Sequence, residues 1–544
     1  MLPRARNYAE LRARFRWRIP ARYNIALDCL ERHARDRPHA PALIHEQGAG
    51  QIRTYRFAEL QEQACRAANA LAALGVGQGD RVGILLGQAP ETALAHMACY
   101  RLGAIAIPLF TLFGPEALYH RLADSGARLV VTDAEGGARL ESIRAELPAL
   151  AQVVVTTPEG PGDERWEHLL ERASPAHRAV DTAADAPALI IYTSGTTGNP
   201  KGALHTHRVL LGHLPGVELP QDFFPQPGDC FWTPADWAWI GGLLDVLLPA
   251  WHHGVPVVAH RAGRFDPEDA LALMARLRVR NAFLPPTALR LMRQVERPER
   301  FGARLRSVGS GGEPLGGDLQ DWARRALGAP VNEFYGQTEC NLVVASCAGF
   351  MDLPEGAMGR AVPGHRLGVM GKDGEPLSPG SAGQIAVARP DPVMFLGYWN
   401  NPEATREKFC GDWLLTGDQG VQDDSGAFHF LGRDDDVITS AGYRIGPAEV
   451  ESCLQRHPAV ARAAVVGRPD ALRTQLVKAF LVLADGARAS DALTREIQQF
   501  VRERLAAHEY PREIEFIDEL PLTATGKVMR RVLREKDGEK PDST

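Results

Sequence analysis

The chain has 544 residues, 45% of them apolar and 24% charged, the composition of an ordinary globular protein, which excludes disordered, collagen-like and coiled-coil classes. At about 150 residues per domain, the length predicts roughly three or four packing units. Lys and Arg total 61 against 67 Asp and Glu, and a net charge of -6 gives no whole-molecule attraction to phosphate backbones or anionic lipid, so nucleic acid is not an expected partner.

The eight cysteines (Cys29, Cys65, Cys99, Cys230, Cys340, Cys347, Cys410, Cys453) are scattered, with no Cys-x-x-Cys pair and no zinc-like His spacing. That pattern predicts a reducing, cytoplasmic setting. No stretch approaches the roughly 18 uninterrupted apolar residues of a membrane helix, so no membrane span is expected. The Arg-rich opening MLPRARNYAELRARFRW carries Glu10, lacks Ser and has no apolar core, and reads as mature protein rather than a targeting segment.

From about residue 40 to 350, β-branched runs (RVGILL, RLVVTD, AQVVVTT, ALIIYT, VPVVAH) alternate with Ala/Leu/Arg stretches such as FAELQEQACRAANALAALG. The runs predict buried strands and the stretches amphipathic helices, hence an α/β fold of helices layered on mostly parallel sheets. Residues 353–432 lose the helical signal, and Gly/Pro punctuation around short strands predicts a small β-rich, barrel-like subdomain. At Arg433 the pattern changes again, through DDD, VITS and AGYRIG to PAEVESCLQRHP, AAVVGRP, KAFLVLA and TREIQQFVRERLAAH. The expected organisation is therefore a large N-terminal domain, 1–432, and a small mobile α+β domain, 433–544.

The densest chemical signal is YTSGTTGNPKG, which follows the strand-like ALII. Hydroxyls (Thr193, Ser194, Thr196, Thr197), glycines (Gly195, Gly198, Gly202) and Lys201 in so short a loop suit backbone amides wrapped around phosphate oxygens, with the lysine neutralising charge. It is not a Walker loop, because G-x-x-x-x-G-K-[ST] is absent. The bland alternative is a solvated Gly/Ser/Thr turn.

This loop resembles the phosphate loop of the acyl-adenylate-forming superfamily, which includes acyl-CoA synthetases, luciferases and peptide-synthetase adenylation domains. Further segments agree in the family's order: GGEP, NEFYGQTE, LLTGDQG, GRDDDVITSAGYRIGPAEVE and PLTATGKVMRR. The resemblance spans residues 40–534, and YGQTE, AGYRIGPAEVE and the opening segment are most similar to acetyl-CoA and medium-chain acyl-CoA synthetases. It implies a ligase that joins a carboxylic acid to ATP as an acyl-adenylate and then to CoA, releasing pyrophosphate and AMP. An adenylation enzyme loading a carrier protein and a catalytically silent nucleotide-binding protein on the same fold stay open, and oligomeric state has no signal in the sequence.

Carried over residue by residue, the resemblance implies that Lys527, Thr338, Glu339 and Lys201 are catalytic, with Glu339 holding Mg²⁺ on the triphosphate. ATP and AMP are expected against Thr193 to Gly198, Gly312, Glu313, Pro314, Glu333, Phe334, Tyr335, Gly336, Thr338, Asp418, Arg433 and Arg444. In this set Asp418 offers two acceptor oxygens to the ribose diol and Tyr335 flanks adenine. Ala441 and Gly442 are expected to line the CoA channel, and Asp435 to be the hinge on which the small domain rotates after adenylation. Core packing for Tyr335, a solvated turn for DDD and a solvated basic helix around Lys527 are the plain alternatives. The acyl pocket is expected at Trp239, Ile240, Gly241 and Gly336, where short-acid relatives carry Trp in place of Gly336. The missing indole predicts an open channel and a preference for acids of about C4 to C8, or branched or aryl equivalents, because each buried CH₂ contributes about 0.8 kcal/mol.

Overall fold

The computed structural model describes residues 1–47, 50–193, 200–261, 263, 265–312, 315, 317–371, 373–433, 438–521, 528, 530 and 532–534. The predicted strands and helices form three sheets. The first runs Gly397–Tyr398, Lys201–Thr206, Pro187–Thr193, Ile105–Pro108, Arg81–Leu85, Leu129–Thr132, Gln152–Val155 and Glu164–Arg165, parallel from Pro187–Thr193 onward. A second, larger sheet has a parallel half through Pro41–Glu46, Val257–His260, Phe231–Trp232, Asn281–Phe283, Ser307–Ser310 and Val331–Gln337.

Two helices that follow their strands by short connections cover these sheets. Phe57–Ala73 is the predicted amphipathic helix, burying Phe57, Leu60, Ala64, Ala67, Ala68 and Leu71. Pro90–Leu102 buries every residue except Glu91. Such a helix has no polar face to display, which is why its apolar positions show no periodicity. Proline opens its first turn, and Gly103, at φ 66°, ends it by donating to the Cys99 and Tyr100 carbonyls.

The β-rich region departs from the expected barrel. Its strands extend the second sheet antiparallel, in the order Leu367–Met370, Ala382–Ala388, Trp413–Gln422, Ala427–Arg433, Gly359–Ala361, Cys340–Ala345 and Val331–Gln337. Among the described residues no pairing joins the two ends of this run. The parallel strand Val331–Gln337 already has Ser307–Ser310 on its other side, so the antiparallel run ends as an extension of an open sheet.

Ala427–Arg433 still belongs to the second sheet, whereas Ile438–Ser440 opens the third. That third sheet orders Tyr443–Ile445, Ile438–Ser440, Thr474–Leu483 and Val460–Asp470, with Glu513–Phe516 parallel to Thr474–Leu483. Helices Pro447–Leu454 and Asp491–Arg504 pack with it. The expected hinge, Asp435, lies outside the described residues.

Candidate active site

The YGQTE segment sits where the second sheet changes from parallel to antiparallel, at the carboxyl end of Val331–Gln337, the position where open α/β sheets receive ligands. Gln337 pairs with Cys340, so Thr338 and Glu339 form the two-residue turn between strands. Glu339 is buried. Its Oε1 accepts the hydroxyl hydrogen of Tyr398, and its main-chain carbonyl accepts from Phe395 N–H at 2.9 Å. Tyr398 lies on the edge strand of the first sheet, opposite Ala203, and Lys201 Nζ stands 5.4 Å from its ring centroid. The two sheets thus bring Lys201, Thr338 and Glu339 together at one junction. Tyr398, in GYWNNPEAT, was missed by sequence reasoning; an isolated tyrosine there carries no pattern of its own.

Behind the turn, burial pushes the His205 imidazole down to about 4 despite the opposing pull of the Glu339 carboxylate. Thr193 ends its strand with Oγ1 donating to the Lys201 carbonyl at 3.4 Å, across the pairing of Pro187–Thr193 with Lys201–Thr206. Ser194, Gly195, Thr196, Thr197 and Gly198 lie outside the described residues, as do Glu313, Pro314 and Lys527.

A second group forms on Trp413–Gln422. The buried Asp418 Oδ2 accepts from Tyr335 Oη at 2.7 Å and from Gln337 Nε2 at 2.9 Å. Gln337 is held in turn by Lys408 Nζ, 3.3 Å from its Oε1, and donates to the Thr416 carbonyl at 2.9 Å. Tyr335 and Gln337 thus both donate to the one carboxylate oxygen, Asp418 Oδ2. Gln337 and Lys408 were not anticipated, since their value lies in holding Asp418 and Tyr335 rather than in a motif. Asp418 pairs in register with Arg433. The side chains of Arg433 and Arg444 lie outside the description.

The expected acyl wall is aromatic. Trp239 lies 5.5 Å from Phe283, ring to ring, and Phe283 lies 5.1 Å from Phe334. Ile240 is buried beside them, and a Cβ on Gly241 would stand 2.8 Å from Phe283. Gly312, at φ 91°, lets the backbone approach the Trp239 ring, which a Cβ would meet at 3.3 Å. Glu333, next to Phe334, has its carboxyl pushed up to about 7 by burial.

Gly336 is held by close packing. A Cβ there would lie 2.3 Å from Leu342 N and 2.8 Å from Asn341 Cα. The missing side chain lets the Asn341–Leu342 backbone approach, with Leu342 at φ 54°.

The small domain docks on the same side. Ala441 and Gly442, at φ 52° and 81°, form the two-residue turn joining Ile438–Ser440 to Tyr443–Ile445, and two consecutive positive φ values are what a type I′ hairpin needs. Tyr443 stacks on His508 at 3.8 Å and meets Phe110 at 5.8 Å. Burial pushes its hydroxyl up to about 12, and the Asp236 carboxylate of the PADWAWIG loop adds to the shift. Gly114 N–H donates to the Leu505 carbonyl at 3.1 Å, and Arg456 pairs with Glu116 at 2.8 Å. The AGYRIG hairpin therefore faces the loop that carries Trp239.

Comparison with known proteins agrees with this geometry. The family model for AMP-binding enzymes matches residues 30–399, and that for their C-terminal domain matches 449–527. Human mitochondrial acyl-coenzyme A synthetase ACSM4 is 35% identical over 95% of this chain and 91% of its own length. The acetyl-coenzyme A synthetase of Bacillus subtilis (strain 168) is also 35% identical, over 97% of this chain and 95% of its own. A crystal structure of Brucella canis acyl-CoA synthetase, 33% identical, superposes with a TM-score of 0.72 and covers 98% of this chain and 99% of that one. The chain belongs to the AMP-binding enzyme family.

Proposed function

We propose that the substrate of this chain is a carboxylic acid of about C4 to C8, or a branched or aryl equivalent, whose body rests against an aromatic wall. The chain is an AMP-forming acid–thiol ligase: it activates a carboxylic acid with ATP and transfers the acyl group to CoA. In the first step a carboxylate oxygen bonds to the α-phosphorus and pyrophosphate leaves. In the second, the CoA sulfur bonds to the acyl carbon, its proton is lost, and AMP departs with the oxygen of the broken C–O bond.

Each partial reaction has candidate residues. Lys201 offsets phosphate charge, Thr338 donates its hydroxyl to the α-phosphate, Asp418 with Arg433 holds the ribose, and Lys527 meets the reacting carboxylate and phosphorus. A single buried carboxylate beside phosphate oxygens fits Mg²⁺, which favours one or two carboxylates plus phosphate and water, so Glu339 is its proposed ligand. Bound there, the ion would spread the triphosphate charge. The docked hairpin supports Ala441 and Gly442 as the channel for the pantetheine arm and Asp435 as the hinge. A cytoplasmic setting is supported by eight unpaired cysteines, seven of them buried. No helix among the described residues is long and apolar enough to cross a membrane.

The observation that carries the acid assignment is the contiguous Trp239–Phe283–Phe334 wall beside the YGQTE strand. Pyrophosphate release across a panel of acids, followed by CoA thiol consumption, tests it. Rising kcat/KM from acetate into the C4 to C8 range is expected, as about 0.8 kcal/mol per buried CH₂ requires. A preference for acetate would refute the size assignment. Exchange without CoA consumption would move the acceptor to a carrier protein, and no exchange with any acid would leave a silent nucleotide-binding protein.

A further inference from the structure

Directly behind Gly336, a polar pair lies inside an otherwise apolar region. Asn341 Nδ2 donates to Asp245 Oδ1 at 2.7 Å, and the two residues keep only 6% and 4% of their surface. Asp245 sits on a π-helical turn, Leu243–Leu247, one turn beyond Gly241, and its neighbours Leu243, Leu244, Val246 and Leu247 are wholly buried. The Asn341 Cα is the atom that would stand 2.8 Å from a Cβ on Gly336. The pair therefore links the strand beside Val331–Gln337, which carries Phe334, to the helical segment that follows Trp239.

Burying a carboxyl and an amide for one mutual hydrogen bond is costly, whereas two leucines would fill comparable volume with no polar groups to desolvate. Among the described residues, Asp245 Oδ2 and Asn341 Oδ1 have no protein partner. Burial pushes the Asp245 carboxyl well above the usual carboxylate range, opposed by the Asn341 hydrogen bond. In the neutral acid, Oδ2 carries a hydrogen to donate while Asn341 Oδ1 remains an acceptor. π-Turns of this kind recur at functional sites, and Asp245 lies at the centre of one.

We propose that Asp245 and Asn341 determine substrate specificity by binding a neutral oxygen, hydroxyl or oxo, on the chain of the carboxylic acid. A hydroxyl accepts from Asp245 and donates to Asn341; an oxo group uses the Asp245 donor alone. Plain alkyl acids leave both groups unpaired, and a site built to hydrogen-bond a substrate discriminates strongly against an analogue that lacks the group. The inference rests on the ligase reading above and deepens it.

The test compares kcat/KM for pyrophosphate release with straight-chain acids against their hydroxy and oxo counterparts of equal length. The native enzyme is expected to favour the oxygenated acid by roughly ten-fold or more. Replacing both Asp245→Leu and Asn341→Leu should reverse that ratio, while Asp245→Asn should retain most of it. A native preference for the alkyl or an amino-substituted acid would overturn the proposal, as would a ratio unmoved by the double replacement. Should the double variant not fold, the native ratio alone decides. Absence of pyrophosphate release with every acid tested would instead refute the ligase reading, so the two failures are distinct.

Discussion

Tyr398→Phe isolates the junction between the two large sheets. The substitution removes one oxygen, the donor to Glu339 Oε1, and keeps the ring beside Lys201 Nζ. Because Glu339 is buried, water cannot simply replace that donor. A hydrogen bond to a charged group contributes about 1.5–3 kcal/mol. If the bond orients Glu339 for Mg²⁺, that energy corresponds to a roughly ten- to hundred-fold weaker metal dependence. The assay is the initial rate of pyrophosphate release against Mg²⁺ concentration, at saturating ATP and acid. The midpoint should rise by that factor, and the rate should recover substantially at high Mg²⁺. Circular dichroism and urea unfolding report whether the same energy is lost from the fold instead. An unchanged midpoint together with unchanged stability would refute the reasoning, because the hydroxyl would then contribute to neither.

Three further outcomes follow from particular contacts. Gly114→Ala places a Cβ 2.3 Å from the Arg504 carbonyl oxygen, so the docked small domain is penalised by about 1–3 kcal/mol of overpacking while the adenylation half-reaction keeps its residues. Single-turnover assays should show slower transfer from a preformed acyl-adenylate to CoA with near-normal pyrophosphate release; equal loss in both would count against this docking. Gly336→Ala drives a Cβ into the Asn341–Leu342 backbone and should lower urea stability by about 2–3 kcal/mol, and a change within error would mean that the backbone yields freely. Glu333 has a folded-state pKa raised by burial from 4.5 to about 7, so the folded protein retains a proton that the unfolded chain has released across that window. Stability should therefore fall as pH rises from 4.5 to about 7, and Glu333→Gln should flatten that slope in urea melts; parallel curves for both proteins would remove the cause.

Local chemistry wrote much of this protein into its sequence. RVGILL, RLVVTD and AQVVVTT became strands because their β-branched residues suit a sheet buried on both faces. The turn at Ala441–Gly442 follows from neighbours only, since a type I′ hairpin needs a residue that tolerates positive φ. Motif order likewise made the family legible before any coordinate. Tertiary structure alone decided which of these segments meet. Tyr398 reaches Glu339 across 59 residues and Tyr335 reaches Asp418 across 83, because sheet order, not chain order, sets the separation. The same dependence turned the expected barrel into an open sheet and filled the space at Gly336 with backbone. Composition and spacing describe what each segment can do, whereas long-range packing determines which surfaces a side chain finds opposite it.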